Sequence, residues 1–203
     1  MAAATHEPPP HVTEHHTTTG IDNRKMMMWI FLASECLFFG ALISTYLIFQ
    51  GESLVGPLPH EILNIPVTSA STFVLLMSSL TMVLAVYGAQ HGRLGMMKLM
   101  LLATILLGLV FLGFQAYEFT SFVHEGLGLT TNQFGSSFYV LTGFHGTHVA
   151  VGVLYLTSML LASQRRTGLG ADRALHIDLA GLYWHFVDIV WIVIFTIIYL
   201  IPH

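Results

Sequence analysis

The sequence predicts an all-α membrane protein, a bundle of five transmembrane helices. Of the 203 residues, 54% are hydrophobic and only 9% are charged, and the mean hydropathy is +0.71. A soluble domain of this size rarely has such a composition. Five apolar segments reach or exceed the roughly 20 residues that cross a bilayer. They lie at about 26–49, 67–90, 97–123, 135–163 and 178–201.

The positive charges predict the orientation of this bundle. They lie beside the start of the first segment and in or next to the second and fourth connections, at Arg24, Lys25, Arg93, Lys98, Arg165, Arg166 and Arg173. Because cytoplasmic loops are enriched in Lys and Arg, we expect the N-terminus in the cytoplasm and the C-terminus outside. The net charge of −4 gives no indication of nucleic-acid binding.

A polar segment precedes a single membrane domain. Residues 1–24 are rich in His, Pro and Thr and predict a flexible cytoplasmic tail. Its histidines could capture a metal, but no fixed ligand geometry accompanies them, which favours a solvated tail. Residues 25–203 form the five-helix domain. No cleavable signal is recognisable, so we expect direct insertion into a prokaryotic cytoplasmic membrane. The lone Cys36 cannot form an intramolecular disulfide and does not indicate a redox compartment.

An acidic residue lies inside the first span. Glu35 is about nine residues, or ~14 Å, from the cytoplasmic end, close to the middle of the membrane. An ionised acid there costs ~2.5–3.5 kcal/mol, so Glu35 is either protonated or joined to a buried partner. It could pin two helices together, handle protons or contact lipid.

The third span has a polar stripe on one face. Thr104, Gly108, Phe111, Gln115 and Glu118 are separated by three or four residues, which places them on one side of a helix. Gln115 and Glu118 are therefore expected to face a neighbouring helix. Glu118 is close to the outer interface, where we expect water to reach it.

The fourth span contains two histidines, His145 and His148, within TGFHGTHVAVG. The small residues Gly143, Gly146 and Ala150 predict close contact with another helix. Histidines three residues apart could bind a metal or haem. A haem between helices needs histidines on opposed helices, however, and a metal site needs further ligands.

Polar residues also recur in the last span. Asp178, Gly181, His185 and Asp188 lie on one helical face, while valine and isoleucine cover the other side. Ionisable groups at such depth must meet protein or water, because lipid cannot solvate them.

The sequence contains no motif for self-sufficient chemistry: no CxxC, CxxCH, phosphate-binding glycine loop or serine nucleophile elbow. What remains is a set of polar groups within the membrane. They are Glu35, Gln115, His145, His148, Asp178, His185 and Asp188. Such sets occur in proton pathways, transporters and accessory subunits, so spacing alone does not decide among these functions.

Five motifs, in order, resemble subunit III of haem–copper respiratory oxidases. They are WIFLASECLFF, LNIPVTSASTFVLLMSSLT, GFQAYEF, FGSSFYVLTGFHGTHVAVG and YWHFVDIVW. The resemblance runs from about Lys25 to Leu200. It is to the shorter bacterial form, which lacks the first two of the family's seven helices and occurs in both cytochrome c and quinol oxidases.

The resemblance implies an accessory chain that binds directly beside the catalytic subunit I, in a complex with subunit II and an optional small subunit IV. It implies that haem and copper belong to the partner subunits and that this chain binds phospholipid and supports proton uptake. Glu35 matches the family's membrane-embedded, carbodiimide-reactive acid. His148 belongs to the HGxHV motif, and His185 and Asp188 belong to the WHFVD motif. Asp178 lies where longer members often have Glu.

We therefore expect a non-redox subunit of a proton-pumping aa3-type cytochrome c oxidase, which reduces oxygen to water. A quinol oxidase would differ in its electron donor, and a nitric oxide reductase is a further alternative. A proton-coupled transporter using Glu35 and Asp188 would need a broken helix or inverted repeat, and neither pattern is visible. A b-type cytochrome using His145 or His148 would absorb as a haem protein when the chain is purified alone.

Overall fold

The computed structural model describes residues 20, 22–49, 65–164 and 172–201. These residues form five α-helices, and each is long and apolar enough to cross a membrane. The helices are α1 (Asn23–Phe49), α2 (Ile65–Gln90), α3 (Leu94–His124), α4 (Gln133–Gln164) and α5 (Arg173–Phe195). A π-helical turn, Thr196–Leu200, continues α5. The predicted fold class is confirmed.

Every helix begins before the apolar segment that predicted it. The largest difference is in α5, which begins at Arg173, whereas the apolar segment begins at Asp178. Hydropathy detects the part of a helix that lies in hydrocarbon, and polar turns at the interface continue the same helix beyond it. Most of the tail at 1–24 and the basic connection with Arg165 and Arg166 lie outside the described residues.

Helix α5 is the centre of the bundle and α1 is peripheral. Half of the apolar window of α5 is buried, compared with 11% for α1. Helix α5 packs against α1, α2 and α4, while α3 packs against α2 and α4. The starts of α1, α3 and α5 lie at the same end, which we call the basic end because it bears Arg24, Lys25, Arg93 and Lys98.

Two buried tryptophans join α5 to α2. Nε1 of Trp184 donates to Oγ of Ser78 at 2.9 Å, and Nε1 of Trp191 donates to Oγ1 of Thr72 at 3.0 Å. An indole N–H needs such an acceptor when it is buried. Two hydroxyl groups of α2 therefore satisfy the buried indoles of α5.

Glycines make room for the Trp184 ring. A Cβ atom at Gly108 of α3 would lie 2.7 Å from Cη2 of Trp184, and one at Gly152 of α4 would lie 2.9 Å from Cζ3. Side chains at these two positions would therefore displace the ring. The missing Cβ atoms allow α3 and α4 to close around the indole.

The apolar side of α5 is enclosed by protein. Val187, Val190, Ile194 and Ile198 are all buried. The sequence predicted that valine and isoleucine lie opposite the polar face of α5. Because α5 is central, neighbouring helices cover this apolar side too. Large exposed apolar side chains lie on the outer faces of all five helices, including Phe73 on α2 and Ile189 on α5.

Helix α1 packs through one narrow seam. Leu32, Phe39 and Tyr46 are buried and seven residues apart, so they lie on one side of the helix. This seam rests against α4 and α5. Most of the other side chains of α1 are exposed and available to lipid or to another protein.

Candidate functional site

The acid in the first span has a partner on α4. Oε2 of Glu35 lies 3.1 Å from Nε2 of His148, and the two side chains are 17% and 18% exposed. Nδ1 of His148 lies 2.8 Å from the Phe144 carbonyl oxygen. Because a carbonyl only accepts, Nδ1 is the donor there. The Nε2 atom thus faces the Glu35 carboxyl, which gives this intramembrane acid the buried partner that lipid cannot supply.

Aromatic side chains surround this pair. The Phe39 ring meets the imidazole of His148 edge-on, with centroids 4.9 Å apart. The hydroxyl of Tyr183 donates to the backbone carbonyl oxygen of His148 at 3.0 Å. Helices α1, α4 and α5 therefore meet at one polar contact in an apolar environment, where electrostatic interactions are stronger than in water.

Two ion pairs connect α1 to the start of α5. Nζ of Lys25 lies 2.7 Å from Oδ2 of Asp178, with 38% and 25% of the side chains exposed. The Arg24–Asp172 pair is 2.9 Å long but more than half exposed. Solvent weakens an exposed pair, so the Lys25–Asp178 contact is the stronger link. Asp178 thus pairs with a cation on a different helix.

His185 and Asp188 lie deeper on α5. Nδ1 of His185 is 2.7 Å from Oγ of Ser79 on α2, while its Nε2 atom makes no hydrogen bond to the residues that the structure describes. Asp188 is 3% exposed, and neither of its carboxyl oxygens forms a hydrogen bond with the residues that the structure describes. Ser79 lies beside Asp188 as well. These polar groups therefore form a cluster that is incompletely satisfied within the bundle.

His145 is enclosed by aromatic rings. Its imidazole is fully buried, stacks on Trp191 with centroids 4.8 Å apart, and meets Phe111 edge-on at 5.9 Å. Neither ring nitrogen forms a hydrogen bond with the described residues. His145 is thus a packed core residue, and a haem could reach it only if the bundle opened.

Gln115 binds α3 to α4. Its Nε2 donates to the Thr142 carbonyl oxygen at 2.6 Å, and its Oε1 occupies the space that a Cβ atom at Gly146 would need. The neighbour that the sequence predicted for Gln115 is therefore Gly146 of α4. The expectation of a close contact at Gly143 is wrong, because nothing in the described part of the chain lies within 4 Å of its Cβ position.

Glu118 differs from the sequence prediction. It is 5% exposed and accepts a hydrogen bond from Oγ1 of Thr68 on α2. The expectation of water access is wrong, because helix packing covers this carboxyl although it lies near the end of α3. The polar residues named from the sequence thus form separate contacts along the bundle.

No group of three or more His, Cys, Asp and Glu side chains suited to a metal ion occurs in the described ranges 22–49, 65–164 and 172–201. The fold and the site together define a class: a polytopic helical membrane protein whose intramembrane acids and imidazoles join helices. Residues 10–202 match the family model described as Cytochrome c oxidase subunit III. The chain belongs to this family, whose members are subunits of an oxidoreductase complex.

Some similar proteins are named as cytochrome c oxidase subunits and others as quinol oxidase subunits. The chain is 40% identical over 191 residues to "Cytochrome c oxidase subunit 3" of Bacillus sp. (strain PS3), which covers 94% of this chain and 92% of the relative. It is 39% identical over 194 residues to "Probable quinol oxidase subunit 3" of Staphylococcus saprophyticus and of Staphylococcus aureus, covering 92% of this chain and 96% of each relative. The resemblance found in the motifs is confirmed.

Sequence reasoning missed three contact residues. Ser79 and Thr72 lie on α2, and Tyr183 precedes the WHFVD motif. The signal that could have identified the α2 hydroxyls is the number of indole and imidazole donors on α5, since each buried donor needs an acceptor.

Proposed function

We propose that this chain is the non-redox accessory subunit III of a proton-pumping aa3-type cytochrome c oxidase. The observation that supports this most strongly is the family match, which spans residues 10–202 and so includes the whole described bundle. The chain would stabilise the catalytic subunit and support its proton uptake, while electrons pass through haem and copper in the partner subunits.

The proposed assembly places this chain directly beside subunit I, in a complex with subunit II and an optional small subunit IV. Residues 25–203 would form one domain in a prokaryotic cytoplasmic membrane, with the 1–24 tail inside the cell and the C-terminus outside. Phospholipid would cover the outer apolar faces. Exposed leucines such as Leu37, Leu99 and Leu154 support this arrangement, since they are stable in hydrocarbon.

The proposed mechanism is mechanical support of the proton entrance. Interlocked indoles and glycines hold α2, α3, α4 and α5 in one arrangement, and the Glu35–His148 pair fixes α1 to them. A firm flank would exclude water and disordered lipid from the adjacent catalytic subunit. The Glu35–His148 contact supports this function because it joins helices through polar groups that lipid cannot solvate.

A clean depletion of this subunit tests the mechanism. We expect the depleted oxidase to begin oxygen reduction at its ordinary initial rate and then to lose activity after fewer turnovers. Restoring the chain should restore the lifetime. An unchanged functional lifetime in the depleted enzyme contradicts the proposed mechanism.

The equivalent subunit of a quinol oxidase is the second candidate. Relatives named for each oxidase have nearly equal identity to this chain, at 40% and 39%. We favour cytochrome c because the surroundings of Glu35 and Gln115 and the YWHFVD run look closer to that branch. Oxidation of reduced cytochrome c, and not of quinol, by the purified complex would support this choice. A nitric oxide reductase would instead reduce nitric oxide.

A proton-coupled transporter is the candidate from a different class. Such a transporter commonly uses helices that are broken near the middle of the membrane. Helices α1 to α5 are each continuous at that depth, with the π-helical turn only at the end of α5. Substrate uptake by the chain alone in vesicles would support the transporter instead.

A further inference from the structure

A groove runs along the surface between α2 and α5. It has a volume of about 250 Å³, and its walls include Val83 and Val86 of α2 and Gly181, Leu182 and His185 of α5. A Cβ atom at Gly181 would lie 3.1 Å from Cγ2 of Val86, so the glycine lets the two helices approach closely. The groove is therefore a concave, mostly apolar surface with an imidazole in its wall.

This imidazole has an open hydrogen-bonding position at the depth of the hydrocarbon. His185 lies seven residues, or ~10 Å, past Asp178, where the apolar part of α5 begins, in a bilayer whose apolar core is about 30 Å thick. Its Nδ1 atom lies 2.7 Å from Oγ of Ser79, its side chain lines the groove, and Nε2 has no partner among the described residues. An acyl chain in the groove would leave this nitrogen unsatisfied, which is unfavourable in hydrocarbon.

Most polar groups on the other outer faces of the bundle have partners within the chain. The Glu35–His148 pair is satisfied within the chain. Hydroxyls on the exposed sides of α1 and α4, such as Ser44 and Thr147, donate to carbonyls of their own helices. The outer face of α3 bears aliphatic side chains such as Leu106, and also Tyr117, which is 64% exposed. Among the described surfaces, the α2–α5 groove is the one that has an incompletely satisfied imidazole in its wall.

The chemistry of that neighbour is hydrogen bonding, and both directions are chemically complete. If the neighbour donates to Nε2 of His185, then Nδ1 has the proton and donates to Oγ of Ser79, whose hydroxyl proton is available to Asp188 beside it. If the neighbour accepts from Nε2, the Ser79 hydroxyl donates to Nδ1 and a protonated Asp188 donates to Oγ of Ser79. In both cases one external hydrogen-bonding group completes the contacts of His185, Ser79 and Asp188 in sequence.

We propose that the α2–α5 groove receives a transmembrane helix of the oxidase's catalytic subunit, and that this helix presents a hydrogen-bonding side chain to Nε2 of His185. The inference rests on the proposed function and specifies which face of the bundle makes the contact. The polar group within the apolar part of α5 and the groove beside it support a protein occupant over an acyl chain, since a protein side chain can supply the hydrogen bond.

Photocrosslinking in the assembled oxidase tests the location. A photoreactive p-benzoylphenylalanine would replace Val83, which is 50% exposed in the groove wall, and separately Leu106, which is 53% exposed on α3. We expect an adduct with the catalytic subunit, identified by mass spectrometry, from Val83 and not from Leu106. Adducts from Leu106 alone, lipid adducts alone at Val83, or no adduct at Val83 in an oxidase that retains its catalytic subunit would overturn the inference.

The same samples separate this inference from the proposed function. If the tagged wild-type chain brings down no oxidase subunit, the proposed function fails. If the oxidase is recovered but its catalytic subunit is not crosslinked through Val83, only the assignment of the groove fails. The crosslinking variants keep His185, so their result does not depend on a disturbed polar cluster.

Substitution of His185 tests the hydrogen bond itself. His185→Leu should lower recovery of the catalytic subunit with the tagged chain about 3- to 30-fold, the range expected for one polar contact between membrane helices. His185→Gln, which retains an acceptor, should restore most of the recovery. Equal recovery for wild type and His185→Leu, with both chains folded by circular dichroism, would contradict the proposed contact.

Discussion

Nε2 of His148 and Oε2 of Glu35 lie 3.1 Å apart and join α4 to α1, although the two residues are 113 positions apart in the sequence. Helix α1 has only a narrow apolar seam, formed by Leu32, Phe39 and Tyr46. The polar pair lies beside this seam and therefore fixes both the depth and the rotation of α1. Apolar contacts alone would specify neither as strongly, because they are non-directional.

The pair predicts a coupling between Glu35 and His148. Glu35→Leu and His148→Leu should each destabilise the folded bundle by about 1–3 kcal/mol, because each leaves a buried polar partner unsatisfied. The double variant should lose less than the sum. Glu35→Gln should be milder, since its amide can donate to Nε2. Thermal unfolding in detergent would measure these changes, and additive single effects would contradict the contact.

The close approach of α3 and α4 predicts that alanine destabilises the bundle at one glycine of α4 and has little effect at another. Gly146→Ala should destabilise the bundle by about 1–3 kcal/mol, because the new methyl group meets the Gln115 amide. Gly143→Ala is the matched control, because nothing lies within 4 Å of its Cβ position. Combining Gly146→Ala with Gln115→Ala should recover part of the loss. Equal stability of both single variants would refute the described packing.

Substitution of Gly152 tests how the Trp184 ring packs between the helices. Gly152→Ala would place a methyl group 2.9 Å from Cζ3 of the indole, and this should disturb the Trp184–Ser78 hydrogen bond. We expect a lower melting temperature and altered tryptophan fluorescence. Gly113→Ala on the open side of α3 should leave both unchanged. A Gly152→Ala protein with the wild-type spectrum and melting temperature would argue against this arrangement.

The ion pairs at the basic end predict unequal effects. Lys25→Ala should destabilise the attachment of α1 by up to about 1 kcal/mol, whereas Arg24→Ala should have a smaller effect because its pair with Asp172 is more exposed. High salt should narrow this difference, since ions screen both contacts. Proteolysis of α1 in detergent would measure its attachment. A larger effect for Arg24→Ala would contradict the relative strength inferred from exposure.

The fold was largely predictable because its main signal is local. About 20 consecutive apolar residues suffice to predict a membrane helix, so the five spans were found without any knowledge of their neighbours. The stripe from Thr104 to Glu118 was also found correctly, since its spacing fixes a common face and the structure buries it. Helix ends such as Arg173 were less predictable, because interfacial turns lack an apolar signal.

The contacts within the site were less predictable than the residues that form them. Spacing placed Glu35 and His148 inside their spans, but their pairing depends on how α1 lies against α4, which periodicity does not encode. The same reason explains the error at Glu118, whose sequence position suggested water access and whose carboxyl is covered by α2. The partner of Lys25 on α5 is likewise a consequence of tertiary packing.

Co-purification tests the central claim most directly. The tagged chain would be extracted from its native membranes in mild detergent, followed by an absorption spectrum and mass spectrometry of the bound proteins. We predict haem a together with a large catalytic subunit in the tagged fraction. Recovery of a stable, haem-free monomer under conditions that keep the oxidase active would contradict the assignment of this chain to that complex.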